Sequence, residues 1–207
     1  MTTAANRYPP ATASAVADLV LGQPMAWIVC QGADGTAATP LPLRAVTDAE
    51  GRVTSLIGHF ARRNPQVEAL RANPRALVLF MGPHAYVSPS WLADRTQAPS
   101  WNYASAVFDV DVELDDDPAF TRHVLDDLIG AMETGRPRAW SVAEMGERYE
   151  RILRGIVAFR ATVVREQAAF KLGQDERDDV FADILTGMDA DGETEVAALM
   201  RTHNPGR

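Results

Sequence analysis

The residues best suited to bind a ligand are concentrated between Gly58 and Tyr103. Aromatic faces bordered by a few hydrogen-bonding groups suit a planar heteroaromatic molecule. The same pattern is compatible with Trp91 and Trp101 being core residues that flank a long loop, so both interpretations stay open. The side chains concerned are Tyr86, Trp91, Trp101, Tyr103, Ser88, Ser90, Asn102, His59 and His84.

Lys171 is the only lysine, in a chain with nineteen arginines. An arginine-rich chain has reason to keep a lysine where a compact charge or a tunable amine is needed. This favours a functional role for Lys171. Retention by chance on a surface strand is the alternative.

The sequence lacks the motifs of several enzyme classes. It contains no dinucleotide or Walker glycine-rich loop, no His-Glu-x-x-His and no Gly-x-Ser-x-Gly elbow, which argues against nucleoside triphosphate, zinc and serine-hydrolase chemistry. The four histidines are far apart in the chain, and no pair has the spacing of metal ligands on a helix. The sequence therefore predicts no metal site.

Composition and charge describe one acidic domain of 207 residues with a net charge of −8. Residues 1–100 contain eight arginines and six acidic residues, whereas residues 101–207 contain twelve basic and twenty-two acidic residues. This balance argues against direct DNA binding, which rests on clustered Lys and Arg. The first half is better suited to an anionic cofactor, although a solvated acidic face explains the asymmetry equally well.

Cellular location is predicted from the single cysteine and the N-terminal sequence. Cys30 has no partner for a disulfide within the chain, and no secretory signal or membrane-spanning segment is recognisable. We therefore expect a cytoplasmic protein without membrane contact.

The elements that position these residues are short strands interrupted by a few helices. Many short strands with hairpin-like spacing predict an antiparallel barrel with added helices, forming one domain over 1–188 with a helical tail over 189–207. We predict strands at 25–30, up to 43, and at 53–57, 75–80, 107–114 and 156–164, and helices at 12–21, 65–73, 117–133, 141–154, 175–185 and 193–201.

Four segments resemble the PaiB family of FMN-binding split-barrel proteins, which are described as negative transcriptional regulators and are related to pyridoxamine-phosphate oxidases. The segments are Gly58–Gln66, Phe80–Trp91, Pro99–Tyr103 and, more weakly, Lys171–Asp175. The resemblance extends from about Trp27 to Leu185.

The resemblance implies a mainly β fold, a six-stranded antiparallel split barrel with added helices, which forms a homodimer with FMN at the subunit interface. It places the phosphate beside a strand-to-helix turn, where donors at a helix N-terminus suit an anion. The implied cofactor-binding residues are His59, Arg62, Asn64 and Gln66 at the phosphate, Tyr86, Ser88, Trp101 and Asn102 along the ring or ribityl chain, and Lys171 and Gln174 from a late segment.

Four residues near the implied pocket depart from the family pattern. Pro40, Leu92, Gly173 and Asp175 stand where the family commonly has His, Tyr, Ser and Asn. The first three remove polar groups, and Asp175 adds negative charge near an anionic cofactor. We expect weaker FMN binding or a different ligand.

Three functions remain open. The leading hypothesis is a flavin-dependent oxidoreductase acting on a small molecule, with no catalytic residue assigned among the proton-transfer candidates His59, His84, Tyr86 and Tyr103. The second is a flavin-bound regulator without turnover that acts through a partner protein. The third is a haem protein, in which His59, His84 or His203 supplies an axial ligand.

Overall fold

One antiparallel sheet dominates the computed structural model, which describes residues 6–207. The predicted mainly β, antiparallel class is confirmed, but the predicted count of six strands is wrong. Within residues 6–207 the sheet has seven strands in the order β2-β1-β5-β6-β7-β4-β3, and the hydrogen-bonded ladder does not close. The strands are β1 (Met25–Gly32), β2 (Gly35–Pro42), β3 (Arg44–Thr47), β4 (Val53–Ala61), β5 (Arg75–Val87), β6 (Ser100–Asp115) and β7 (Ile156–Lys171).

Helices cover the sheet and follow the predicted positions with one exception. The segment 141–154 is not one helix, because Gly146, with φ of 54°, separates a 3-10 turn at Val142–Met145 from the helix that follows. A residue with positive φ cannot continue a right-handed helix. The α-helices are α1 (Ala15–Gly22), α2 (Pro65–Ala72), α3 (Pro118–Glu133), α4 (Arg148–Leu153), α5 (Asp178–Asp191) and α6 (Thr194–His203).

β5 extends further than its sequence predicts. Its apolar pattern is interrupted at Gly82-Pro83, so the predicted strand ended at Phe80, yet pairing with β6 resumes at His84 after a register shift. Such bulges bend a strand without ending it. Most of the Gly82–Trp91 segment is therefore strand, and only Pro89–Trp91 forms a short 3-10 turn.

The core lies between the inner face of the sheet and helices α1, α2, α5 and α6. Two glycines permit especially close packing: a Cβ at Gly82 would lie 2.2 Å from Leu19 Cδ1, and one at Gly187 would lie 2.3 Å from the Trp91 indole. Trp91 packs against the core, which agrees with the core interpretation for this tryptophan.

The C-terminal helices share this core. The predicted boundary between residues 188 and 189 falls inside α5, and α6 buries Val196, Ala197 and Met200 with the barrel residues. At the other end of the predicted domain, residues 1–5 lie outside the described residues.

Candidate functional site

An exposed group of aromatic side chains lies where the ends of β5, β6 and β7 are paired, and we call it the outer aromatic cluster. Tyr86 is paired with Trp101, and Tyr103 lies between His84 and Lys171. The Tyr86 and Trp101 ring centroids are 5.8 Å apart in an edge-on arrangement, and the two side chains are 44% and 52% exposed. These five residues present aromatic faces and one ammonium group to the surroundings.

Strand alternation separates Asn102 from this cluster. Successive side chains of a strand point to opposite faces, so Asn102 faces the interior while Trp101 faces outward. Asn102 is 3% exposed, and its Nδ2 donates to Met200 Sδ at 3.3 Å. The structure therefore does not bring Asn102 to the predicted ring site.

Lys171 does belong to the cluster, and its Nζ donates to Ser100 Oγ. Two other predicted residues are engaged locally instead. Gln174 closes its own turn, accepting at Oε1 from Leu172 N at 2.7 Å, and Ser88 caps the 3-10 turn, accepting from Ser90 N at 3.2 Å.

Two of the four residues predicted at the phosphate are also engaged within the protein. Asn64 caps α2, accepting at Oδ1 from Gln66 N at 2.9 Å and donating to Thr39 Oγ1 at 3.0 Å. Gln66 is 1% exposed, and its Nε2 donates to the carbonyls of Ile28 and Ala37 at 3.1 and 3.2 Å. Both residues hold α2 against β1 and β2, and a phosphate contact for them stays a prediction.

Arg62 is held by acceptors of the protein as well. Its guanidinium donates to Asp116 at 2.5 Å and to the Ile156 carbonyl at 2.9 Å. The hydrogen bonds from Arg62 and Arg71 lower the pKa of Asp116 and keep it ionised. The adjacent Arg63 is exposed and forms no ion pair within residues 6–207. Sequence reasoning missed Arg63, because neighbouring arginines carry no signal that distinguishes a paired one from a free one.

His59 has a ring nitrogen without a hydrogen-bond partner. It lies on β4 opposite Ala158, and its Nδ1 is buried with no partner among residues 6–207. Burial lowers the pKa of His59 below 6.5, so the imidazole is neutral at pH 7. A neutral ring with an unpaired nitrogen is suited to exchange a hydrogen bond with a ligand.

The two predicted halves of the site lie at opposite ends of β7. His59 is opposite Ala158, and the outer aromatic cluster includes Lys171, thirteen residues further along the same strand. At about 3.3 Å per residue this is about 43 Å along the strand. Strand pairing within one chain therefore does not place the phosphate-end residues beside the aromatic ones.

Three of the four residues that depart from the PaiB pattern have structural roles here. Leu92 is buried in the core, and Pro40 lies on the edge strand β2 opposite Trp27. Asp175 forms an ion pair with Arg7 at 2.8 Å and accepts from the Tyr8 hydroxyl at 3.0 Å. Burial opposes ionisation of Asp175, but these hydrogen bonds outweigh it and lower its pKa. The negative charge expected near the cofactor is thus balanced by Arg7.

An apolar patch adjoins the cluster, and we call it the outer apolar face. Trp27 is paired with Leu79, which is paired with Val107, so three neighbouring strands contribute to it. Its most exposed members, with 55%, 51%, 38% and 59% of their surface accessible, are Met25, Trp27, Leu77 and Met81. Contiguous exposed apolar patches of this kind mark interaction surfaces.

Two further features of residues 6–207 concern membranes and metal ions. None of the helices within residues 6–207 is long and apolar enough to cross a membrane. The same range contains no group of three or more His, Cys, Asp or Glu side chains that could hold a metal ion.

Comparison with known families gives a match over most of the chain. A family described as "Putative FMN-binding domain" matches residues 4–165. The Bacillus subtilis protein named protease synthase and sporulation protein PAI 2 is 33% identical over 133 residues, which are 63% of this chain and 62% of that protein. The match thus spans less than two thirds of that relative's length.

Solved structures with a similar fold include two named for bound cofactors. An FAD- and haem-binding protein from Mycobacterium smegmatis has a TM-score of 0.56 at 21% identity, covering 83% of this chain and 76% of the other. The flavocytochrome Anf3 from Azotobacter vinelandii has a TM-score of 0.55 at 15% identity, covering 85% and 74%. At these identities the likeness concerns the fold.

Proposed function

The chain belongs to the FMN-binding domain family, as its resemblance to PaiB predicted, and from this membership we propose that it is a flavin-dependent oxidoreductase of the split-barrel type. In the proposed form two copies associate through their outer faces, and each FMN lies between them. The substrate is a small molecule. The observation that carries the proposal is the position of the two predicted half-sites at opposite ends of β7, since a second copy can complete each of them.

The residues present fit a flavin at both ends. The exposed rings of Tyr86 and Trp101 offer surfaces for a flat heteroaromatic group, and Lys171 supplies a positive charge beside them. At the other end Arg63 is an exposed cation four residues after His59, and within residues 6–207 Arg63 forms no ion pair and His59 Nδ1 has no partner. Arg62, Asn64 and Gln66 then act by shaping the turn that carries these groups.

The outer apolar face supports the homodimer. Trp27, Leu77 and Met81 are large, exposed and adjacent through strand pairing, and Tyr103 and Val107 on β6 connect this surface to the outer aromatic cluster. An interface built on this face would therefore extend to the half-site at the end of β6. Burying such side chains is favourable by about 25 cal/mol per Å² of apolar surface.

When bound, FMN supplies the electron and hydride chemistry, while the protein binds, orients and shields it. Lys171 would place a positive charge beside the flavin ring, and Trp101 would shield one side of that ring from water. Within the outer aromatic cluster, His84, Tyr86 and Tyr103 are the side chains that could hold a proton for a substrate. His59 belongs to the opposite half-site and is neutral at pH 7, so it suits a hydrogen-bonding role.

The two other hypotheses make different use of the same chain. A flavin-bound regulator without turnover would use the outer surfaces to contact a partner protein, because the net charge of −8 disfavours DNA. A haem protein would use a histidine nitrogen that is not bonded within the protein, and His59 Nδ1 and His203 Nε2 have no partner among residues 6–207, but both are buried and would have to become accessible. We place the protein in the cytoplasm as part of the proposal, because Cys30 is buried and free.

Absorption spectra of the purified full-length protein, before and after titration with FMN and separately with haem, test the proposal. We expect flavin bands, saturation at one FMN per chain, and bleaching under anaerobic NADH or NADPH followed by reoxidation with a suitable acceptor. A flavin that binds but never turns over would favour the regulator. If the protein shows a Soret band and has no affinity for FMN, its cofactor is haem and the flavin proposal is wrong.

A further inference from the structure

A cavity lies on the inner side of the sheet, away from the outer aromatic cluster. It has a volume of about 400 Å³ and lies between α1, the bulge of β5, the end of β7 and α6. Phe170 lines it, and because Phe170 and Lys171 are consecutive in β7 their side chains point to opposite faces. Most of its wall is apolar and includes Ala15, Leu19, Pro83 and Leu199. Its volume is within the range of small-molecule pockets.

The charged side chains at this cavity are negative. Asp18 and Glu195 line it, and the lining contains no lysine or arginine. Their side-chain hydrogen bonds come from neutral groups, the Ser14 hydroxyl to Asp18 at 3.2 Å and the Gln23 amide to Glu195 at 3.5 Å. In the part of the chain from residue 6 onward, neither carboxylate forms a salt bridge. The cavity therefore attracts cations and repels anions.

His203 adds an unmet acceptor to the same wall. Its ring stacks on Phe170 with centroids 4.9 Å apart, and its Nδ1 lies 3.1 Å from the Leu199 carbonyl. Because a carbonyl only accepts, Nδ1 donates this hydrogen bond, and in the tautomer protonated at Nδ1 the other nitrogen, Nε2, is an acceptor. Within residues 6–207 Nε2 has no hydrogen-bond partner, and almost none of its surface is accessible, so we assign it no ligand contact.

We propose that this cavity binds a small molecule in which a protonated amine is attached to an apolar body. The apolar body would pack between Leu19 and Phe170, and the ammonium group would approach Asp18 and Glu195. FMN and haem do not suit this cavity, since their phosphate and propionate groups would face uncompensated carboxylates. The site goes beyond the proposed flavin function and depends on α6, which lies outside the family match at residues 4–165.

Calorimetric titration of the full-length protein with three probes of one shape tests the proposal: phenethylamine, 2-phenylethanol and 3-phenylpropanoate. We expect the amine to bind about threefold to tenfold more tightly than the alcohol, as exposed ion pairs allow, and the carboxylate to bind most weakly. Asp18→Asn with Glu195→Gln should abolish the preference for the amine. Asp34→Asn with Glu113→Gln is the matched control, because it removes the same charge from exposed positions elsewhere.

A second variant keeps the test decisive if the first pair of changes impairs folding. Ala198 is an exposed residue of the cavity wall, and Ala198→Phe should fill the space and abolish binding of both phenethylamine and the alcohol. FMN titration of the same variants should be unchanged, which separates this site from the flavin site. Equal affinity for the three probes, or undiminished amine binding by Ala198→Phe, would overturn the proposal.

Discussion

Replacing Gln66 with alanine distinguishes a structural role for this residue from a cofactor-binding one. Its Nε2 donates to the carbonyls of Ile28 and Ala37, so the change removes two hydrogen bonds that join α2 to β1 and β2. Two such bonds contribute about 1–3 kcal/mol together. The lost apolar contact of the side chain adds about 1 kcal/mol.

A partial compensation reduces this cost. Gln66 Oε1 is buried with no partner among residues 6–207, and removing it returns about 1 kcal/mol. The net loss is about 2 kcal/mol of unfolding free energy, which for a domain of this size lowers Tm by about 4–8 °C. Gln31→Ala, at an exposed position of β1, is the matched control and should change stability by less than about 0.5 kcal/mol.

Thermal unfolding followed by circular dichroism, without FMN, measures this effect. FMN fluorescence titration of the same variant at a temperature where it is folded then measures affinity. We expect a lowered Tm with nearly unchanged affinity. If Gln66→Ala unfolds at the wild-type temperature and loses FMN binding, Gln66 contacts the cofactor and its role in holding α2 has been overestimated.

Three further predictions concern packing, pH and assembly. Gly187→Ala should lower the unfolding free energy by about 1–3 kcal/mol, because its Cβ would overlap the Trp91 indole. Gly130→Ala in α3 is the control and should not destabilise the protein, because a Cβ there meets nothing within 4 Å. Chemical denaturation of both variants measures the two effects. Asp175→Asn should lower Tm at pH 7, where the wild-type carboxylate is ionised. The difference in Tm between variant and wild type should vanish as the pH falls through the lowered pKa of Asp175. A pH series of melting curves in which this difference persisted in acid would contradict a stabilising role for the ionised carboxylate. Trp27→Lys, at a position 51% exposed, should halve the mass measured by sedimentation without lowering the helix and strand content; an unchanged mass would exclude the outer apolar face as the interface.

Local sequence patterns predicted most of the elements of this fold. Pro65 after Asn64 predicted the start of α2, and the strict alternation from Val107 to Leu114 predicted part of β6. The extent of β5 could not be predicted in this way, since pairing resumes after Gly82-Pro83 only because β6 offers partners there. The predicted number of strands was wrong for the same reason, because pairing between distant segments is not encoded in any single segment.

The site illustrates the same limit at the level of side chains. Trp101 and Asn102 are adjacent in sequence, and both were assigned to the ring site, yet strand alternation buries Asn102 against Met200. The Gln66 side chain is of a type that can donate to a phosphate, but its amide instead donates to carbonyls of β1 and β2. Residue types indicated which segments could form a ligand site. The hydrogen-bond partners seen in the structure show which side-chain atoms are not already bonded within the protein.

Mixed dimers test the central proposal, a flavin site built from two copies. Arg63→Glu and Trp101→Ala change exposed residues of the two half-sites and should each weaken FMN binding strongly. When the two variants are co-refolded in equal amounts, half of the dimers are mixed, each with one intact site, so FMN titration should recover about a quarter of all sites at wild-type affinity. No recovery in confirmed mixed dimers would mean that each chain binds its cofactor alone, and would contradict the interfacial site.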